Sequence, residues 1–251
     1  MDGYDGAGVR PARPHTGRTA EGKRVREVLT YSRRGSRLGT RQEEAWEAHR
    51  DEWWVPDDAV DDPDFDIASW FGREAPLIVE IGSGVGEATV ALAAGRPAYD
   101  VLGIEVWHPG VADTFHRMAQ AGVSNVRMIS VDAVWSMEHL LGERSITELW
   151  SFFPDPWRKQ RHHRRRLVRA EFAALAASRL VPGGVWRLAT DWPAYAEQMR
   201  EVLDAEPLLS GGVVERWADR PLTRFERRGL EAGRSVTDLA YRRIGLDTPS
   251  G

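Results

Sequence analysis

Cysteine is absent from the 251 residues. That excludes disulfides, thiolate nucleophiles and cysteine-based metal sites, and it leaves the compartment open. No apolar run approaches the ~18 residues that a membrane span needs. Nor does the N-terminus carry a basic patch followed by an apolar stretch, so no secretory signal is expected and the cytoplasm is the expected compartment. No internal repeat is visible, which argues against a solenoid. Net charge is only −4, too little to make the whole chain a generic polyanion binder. What remains is 42% hydrophobic and 29% charged, the composition of a globular protein with a proper core.

The charges are segregated along the chain. Residues 1–41 hold ten Lys/Arg against four Asp/Glu, and residues 42–66 hold eleven Asp/Glu against Arg50 alone. Residues 158–169 then place Arg158, Lys159, Arg161, Arg164, Arg165, Arg166 and Arg169 together with no acid. Such segregation predicts local electropositive surface on a mildly acidic body, as a nucleic-acid groove requires. Solvated faces are the plainer alternative. Residues 1–30 read as a disordered basic tail, rich in Gly, Arg and Pro near its start. Residues 31–75 read as an N-terminal extension with one helix around Gln42–Arg50.

From Pro76 the pattern becomes regular, and 76–246 reads as one domain. Strands are expected at Leu77–Ile81, Tyr99–Val106, Val126–Val131, Leu149–Phe153 and Val185–Ala189. Helices are expected from Ala88 to Gly95, Val111 to Gly122, Val134 to Leu141, Arg164 to Leu180 and Pro193 to Leu203, with two last strands at Val213–Trp217 and Val236–Arg242. This alternation predicts an α/β fold, mainly a parallel seven-stranded sheet with helices on both faces.

The run Val79-Glu80-Ile81-Gly82-Ser83-Gly84-Val85-Gly86 sets glycines between a strand and a helix, where a cofactor can pass close to bare backbone. Glu105 ends the next strand, 23 residues after Gly82, and a carboxylate there can accept from both ribose hydroxyls of an adenosine cofactor. The spacing is G-x-G-x-G, not the dinucleotide form. Glu80 would repel a pyrophosphate but suits the ammonium of a methionine moiety. The pattern resembles class I methyltransferases, with their Rossmann-like fold and S-adenosyl-L-methionine as cofactor. Asp132-Ala133 ends the third strand; Asp132 either contacts the adenine amine or caps the following helix, and the two can coexist.

The segment Phe152-Phe153-Pro154-Asp155-Pro156-Trp157-Arg158-Lys159-Gln160-Arg161-His162-His163-Arg164-Arg165-Arg166-Leu167-Val168 resembles the signature of the bacterial tRNA (guanine-N7-)-methyltransferases. Matches in the same order include Gly103-Ile104-Glu105-Val106, Thr190-Asp191-Trp192, Thr223-Arg224-Phe225-Glu226-Arg227-Arg228-Gly229 and, upstream, the basic segment Arg33–Leu38. The similarity covers roughly 24–244. It implies methyl transfer from S-adenosyl-L-methionine to N7 of guanosine 46 in the variable loop of tRNA. It implies Asp155 as the catalytic residue and, with Glu80, Gly82, Gly84, Gly86, Glu105, Asp132 and Ala133, as part of the cofactor site. Lys159, Asp191, Thr223, Arg224, Phe225 and Glu226 would line the substrate pocket. The family often has Lys where Arg224 stands, which leaves the fine geometry there open.

The chemistry suits these residues. N7 of guanine has an in-plane lone pair and no proton, so no strong general base is needed, and positioning carries the catalysis. Prolines on both sides of Asp155 restrict its backbone, and its carboxylate could accept from guanine N1–H and the exocyclic amine. Trp157 either stacks on a base or packs under the turn. His162 and His163 lack a third ligand, so no metal is expected. The tRNA is the expected partner, as monomer or homodimer, with no membrane. Rival readings are a methyltransferase acting on another RNA or a protein, and a non-catalytic RNA-binding relic of the fold.

Overall fold

The computed structural model describes residue 30 and residues 35–62 and 64–245. The tail reading for 1–30 therefore lies almost wholly outside the described residues, as do Arg33 and Arg34. In chain order the elements are α1 (Thr40–Trp53), a 3-10 turn (Asp57–Asp61), α2 (Ile67–Phe71), β1 (Leu77–Ile81), α3 (Glu87–Ala94), β2 (Asp100–Ile104) and α4 (His108–Ala121). There follow β3 (Val126–Ile129), α5 (Ala133–His139), β4 (Ile146–Phe152), a 3-10 helix (Gln160–Arg165), α6 (Ala170–Arg179), β5 (Leu180–Thr190), α7 (Pro193–Asp204), β6 (Leu209–Val214), α8 (Arg224–Glu231) and β7 (Thr237–Arg243).

One seven-stranded sheet runs in the order β3-β2-β1-β4-β5-β7-β6. The first five strands are parallel, and β7 enters antiparallel between β5 and β6. All residues of β1, β2 and β3 are buried, as expected for strands covered on both faces. On one face α1, α3 and α4 pack around Trp46, Trp53, Phe115 and Met118. On the other, α5, α6 and α7 pack around Phe172, Trp186 and Tyr195. This is the Rossmann-like class I arrangement. Trp150 and Trp186 are both wholly buried strand residues.

The N-terminal extension is joined to the sheet edge. Trp54 bridges to Met128 beside β3, and Val55 N–H donates to the Met128 carbonyl at 2.8 Å. Trp46 of α1 meets the His108 ring at 4.3 Å. Both nitrogens of that ring are buried without a partner among the described residues, and burial lowers its pKa to about 4. Among the described residues no helix is long and apolar enough to cross a membrane.

Several sequence boundaries move. The helix expected at Arg164–Leu180 begins only at Ala170, because Val168 is held out of helical pairing: its carbonyl accepts from Gln198 Nε2 at 2.9 Å and its N–H donates to the Tyr195 hydroxyl at 3.2 Å. Pro182-Gly183-Gly184 does not precede β5 but lies within it. Gly183 there has φ 79°, and the pairing with β4 jumps from Ile146↔Leu180 to Glu148↔Val185, so the segment is a bulge. The sixth strand ends at Val214, since Trp217 turns in against Trp150 at 5.8 Å. The sequence reading contained neither α2 nor α8.

Candidate active site

Strand order reverses between β1 and β4: from β1 the chain steps to β2 and β3, then returns to the other side. The loops that follow β1 and β4 therefore lie side by side at the carboxyl edge, where open α/β sheets hold their ligands. The β1 loop is the glycine run. Gly82, Gly84 and Gly86 have φ 80°, 60° and 74°, a region nearly closed to other residues. A Cβ on Gly82 or Gly84 would meet nothing within 4 Å, whereas one on Gly86 would lie 2.5 Å from the Thr114 hydroxyl. The first two glycines thus leave an open trough and the third makes room for α4. Gly110 closes the approach from the other side, because a Cβ there would lie 2.1 Å from the Gly84 carbonyl.

Two carboxylates face this loop. Glu105 is held by backbone, with Oε2 accepting from Gly84 N–H at 2.7 Å and Oε1 from Trp107 N–H at 2.8 Å. These two bonds clamp the group against the glycine loop. Glu80 is buried in β1 and accepts from the Thr89 hydroxyl. Burial raises its pKa to about 7, the Thr89 bond works against this, and the Glu105 charge adds to it. An unusually protonatable acid beside bare glycine backbone fits an adenosine cofactor that carries a cationic ammonium. Asp132 does cap α5, with Oδ1 accepting from Val134 N–H at 2.9 Å, and Ala133 is the first residue of that helix.

The β4 loop is the Pro154-Asp155-Pro156 turn. The residues bracketing it, Phe153 and Trp157, are non-glycines with left-handed backbone, φ 54° and 43°. Phe153 N–H donates to the Ala189 carbonyl at 2.7 Å. The Trp157 indole donates to the Thr30 carbonyl at 3.0 Å, and the Arg165 guanidinium covers its ring at 3.5 Å. Asp155 is half-buried. Burial raises the Tyr195 hydroxyl well above the usual tyrosine range, and the nearby Asp155 charge adds to that shift. Trp107, on the Glu105 side, donates its indole N–H to the Gly35 carbonyl at 2.8 Å, so tryptophans on both sides of the crevice bond to backbone ahead of α1, at Thr30 and Gly35.

The remaining sequence-selected residues separate. Lys159 is exposed ahead of the 3-10 helix. Asp191 follows β5 and pairs with Arg234 at 2.6 Å; Gly229 makes space for that pair, since a Cβ there would approach Arg234 Nη2 to 3.2 Å. Thr223 caps α8, accepting from Glu226 N–H at 3.2 Å. Arg224 N–H donates to Glu87 Oε2 at 2.6 Å, tying α8 to the start of α3. Phe225 is 53% exposed, yet its ring lies 5.2 Å from that of Phe153. Glu226 points inward. It is buried and accepts from Arg220 at 2.6 Å and Arg216 at 3.1 Å, while Arg220 also holds Asp238. His162 and His163 each meet an arginine through Nε2. Sequence reasoning missed Gly110 as a spacer, and it missed Arg220, Asp238 and Arg234 altogether.

A sequence model of the family described as "Putative methyltransferase" matches residues 74–239. The tRNA (guanine-N(7)-)-methyltransferase of Nocardioides sp. is 68% identical over 238 residues, covering 95% of this chain and 96% of that one. The chain belongs to the bacterial tRNA (guanine-N7-)-methyltransferase family. A second member, from Cutibacterium acnes, is 46% identical and covers 89% of this chain and 86% of its own. The fold is shared more widely. The solved 16S rRNA (adenine(1408)-N(1))-methyltransferase from Catenulisporales acidiphilia matches with a TM-score of 0.52 at 14% identity, over 74% of this chain and 95% of its own. This chain thus sets its glycine trough and Asp155 turn on a sheet that other methyltransferases also use.

Proposed function

We propose that this chain transfers a methyl group from S-adenosyl-L-methionine to N7 of guanosine 46 in the tRNA variable loop, with Asp155 at the reaction centre. The observation that carries this reading is the adjacency of β1 and β4, which sets the Asp155 turn beside the glycine trough. The names of the relatives support the reaction type.

The cofactor supplies an electrophilic methyl on a sulfonium. The chain's own residues do the rest by position. Glu80 would receive the ammonium, Glu105 the ribose hydroxyls, and Asp132-Ala133 the adenine edge, with Gly82, Gly84 and Gly86 lining the trough. Asp155 accepts from guanine N1–H and its exocyclic amine, which selects guanine over adenine. Methylation at N7 would leave positive charge on the purine, and the Asp155 carboxylate would stabilise it. No proton leaves the base. Phe225, exposed beside Phe153, offers a face for base stacking. Lys159, with Arg158, Arg161 and Arg164 exposed around it, suits phosphate contacts. Asp191, Thr223 and Arg224 would serve the substrate side, and Glu226 would act there through Arg220. A non-catalytic relic would have no use for Glu80, Glu105 and Asp155 converging on one crevice.

Unmodified tRNA incubated with methyl-labelled cofactor tests the reading. The product mapped after nuclease digestion should be N7-methylguanosine at position 46, and label on adenine or on protein would sink the proposal. Asp155→Ala should lose most turnover while still binding cofactor by calorimetry; near-normal turnover would remove Asp155 from the reaction centre.

A further inference from the structure

The run from Arg158 to Arg166 reads as one basic surface, but its last member is turned inward. Arg158, Arg161 and Arg164 are exposed, whereas Arg166 is 2% exposed. Its guanidinium makes three bonds to three separate pieces of chain. Nε donates to the Pro156 carbonyl at 2.9 Å, Nη1 to Gln198 Oε1 at 2.6 Å, and Nη2 meets His163 Nε2 at 3.1 Å. A guanidinium only donates, so the His163 ring is the acceptor in this contact. The group also lies 4.8 Å from the centre of the Tyr195 ring. Among the described residues no carboxylate lies within ion-pair distance of it.

Burying a cation without an anion is costly, and three bonds plus an aromatic face offset that cost only in part. An apolar side chain would fill the space more easily. What only a planar fork supplies is a rigid link between the Asp155 turn, the 3-10 helix and α7. The α7 end is firm: Tyr195, Met199 and Leu203 are wholly buried, and Gln198 also donates to the Val168 carbonyl. The Pro156 carbonyl belongs to the peptide that leads into left-handed Trp157, one residue from Asp155.

We propose that Arg166 is the positioning residue for Asp155, fixing the turn to α7 and taking no part in the phosphate grip of its neighbours. The inference rests on the reading of Asp155 as the reaction centre. A displacement of about 1 Å at such a site costs on the order of 100-fold in rate.

The test is steady-state kinetics on unmodified tRNA at several salt concentrations. Arg166→Lys keeps the charge but loses the planar fork. It should lower kcat by about 10- to 100-fold, with the tRNA KM, its salt dependence and the calorimetric cofactor Kd unchanged. Gln198→Leu removes the α7 end of the link without touching the turn and should show a smaller loss of the same kind; it also decides the matter if Arg166→Lys does not fold. Arg164→Ala, by contrast, should raise the tRNA KM and flatten its salt dependence. Wild-type kcat in the folded variants, or an Arg166→Lys profile like that of Arg164→Ala, would overturn the proposal. If Asp155→Ala remains active, the reading of the reaction centre fails; if it is inactive while Arg166→Lys and Gln198→Leu keep full kcat, only the role of Arg166 fails.

Discussion

Phe153 and Trp157 stand four positions apart on either side of Asp155, and both hold left-handed backbone, at φ 54° and 43°. Each such residue costs roughly 1–2 kcal/mol relative to ordinary backbone. Strain of this kind persists only where surrounding contacts over-determine it, and here they do. Phe153 is held by the Ala189 carbonyl and the Phe225 ring, Trp157 by the Thr30 carbonyl and the Arg165 guanidinium. These contacts keep the strained turn from relaxing into a smooth extension of β4.

Phe153→Ile keeps an apolar side chain but puts a β-branched residue where left-handed backbone is least tolerated. Turnover should fall more than cofactor affinity, and the urea midpoint should drop with an unchanged m-value. Wild-type turnover and midpoint would show that the left-handed conformation is not required.

If Glu80 holds the cofactor's ammonium as proposed, cofactor binding should depend on pH. Its folded-state pKa is raised to about 7 from 4.5, so near neutrality part of the free protein carries a proton that a bound ammonium must displace. Affinity should rise with pH until about 8 and then level, and calorimetry in buffers of different ionisation enthalpy should detect proton release. For the free protein the sign is opposite. A raised carboxylate contributes stability that is complete below pH 4.5 and is lost as pH rises through about 7. Glu80→Gln should therefore melt higher than the parent at pH 8, bind cofactor more weakly, and lose the pH dependence.

Gly110→Ala sets helix propensity against packing. Alanine in a helix gains about 1 kcal/mol over glycine, but the added Cβ would sit 2.1 Å from the Gly84 carbonyl. Backbone cannot yield there without moving the trough. The variant should bind cofactor about tenfold more weakly or worse by calorimetry, with no gain in melting temperature. Unchanged affinity would mean that α4 can retreat from the loop.

Glu226→Gln tests the inward-facing residue of the α8 motif. The Glu226 and Arg220 side chains are both 1% exposed, and breaking such a buried pair costs about 3–5 kcal/mol; Asp238 still holds Arg220, which favours the lower figure. Denaturant unfolding should show the loss. Normal stability with a raised tRNA KM would instead make Glu226 a direct substrate contact.

Much of the site is local and therefore legible in sequence. The glycine run, Glu105 and the proline turn each depend on a few consecutive residues whose backbone chemistry is distinctive. The buried strands and the two core tryptophans follow from apolar runs. What escaped depends on distant partners. Arg166 looks like six neighbouring cations until Gln198 and Tyr195 draw it inward, and the same contacts delay α6 to Ala170. Arg220 has no local signal, because its carboxylates stand at Glu226 and Asp238. Glycine at 183 reads as a stop, yet the strand runs through it as a bulge. The helix α8 is hard to see because its sequence is mostly charged, and its capping Thr223 is a common residue.

The strand order also has a consequence for synthesis on the ribosome. Among the described residues β6 pairs only with β7, and β7 comprises the late residues Thr237–Arg243. Until these emerge, β6 has no neighbour, β5 has an open edge, and Arg220 lacks Asp238. Cofactor trough and turn can take shape while translation continues, but the Arg220 anchor beneath α8 must wait for the closing strand. A chain released before residue 237 would carry every motif of the cofactor trough and still fail to clamp α8 against it.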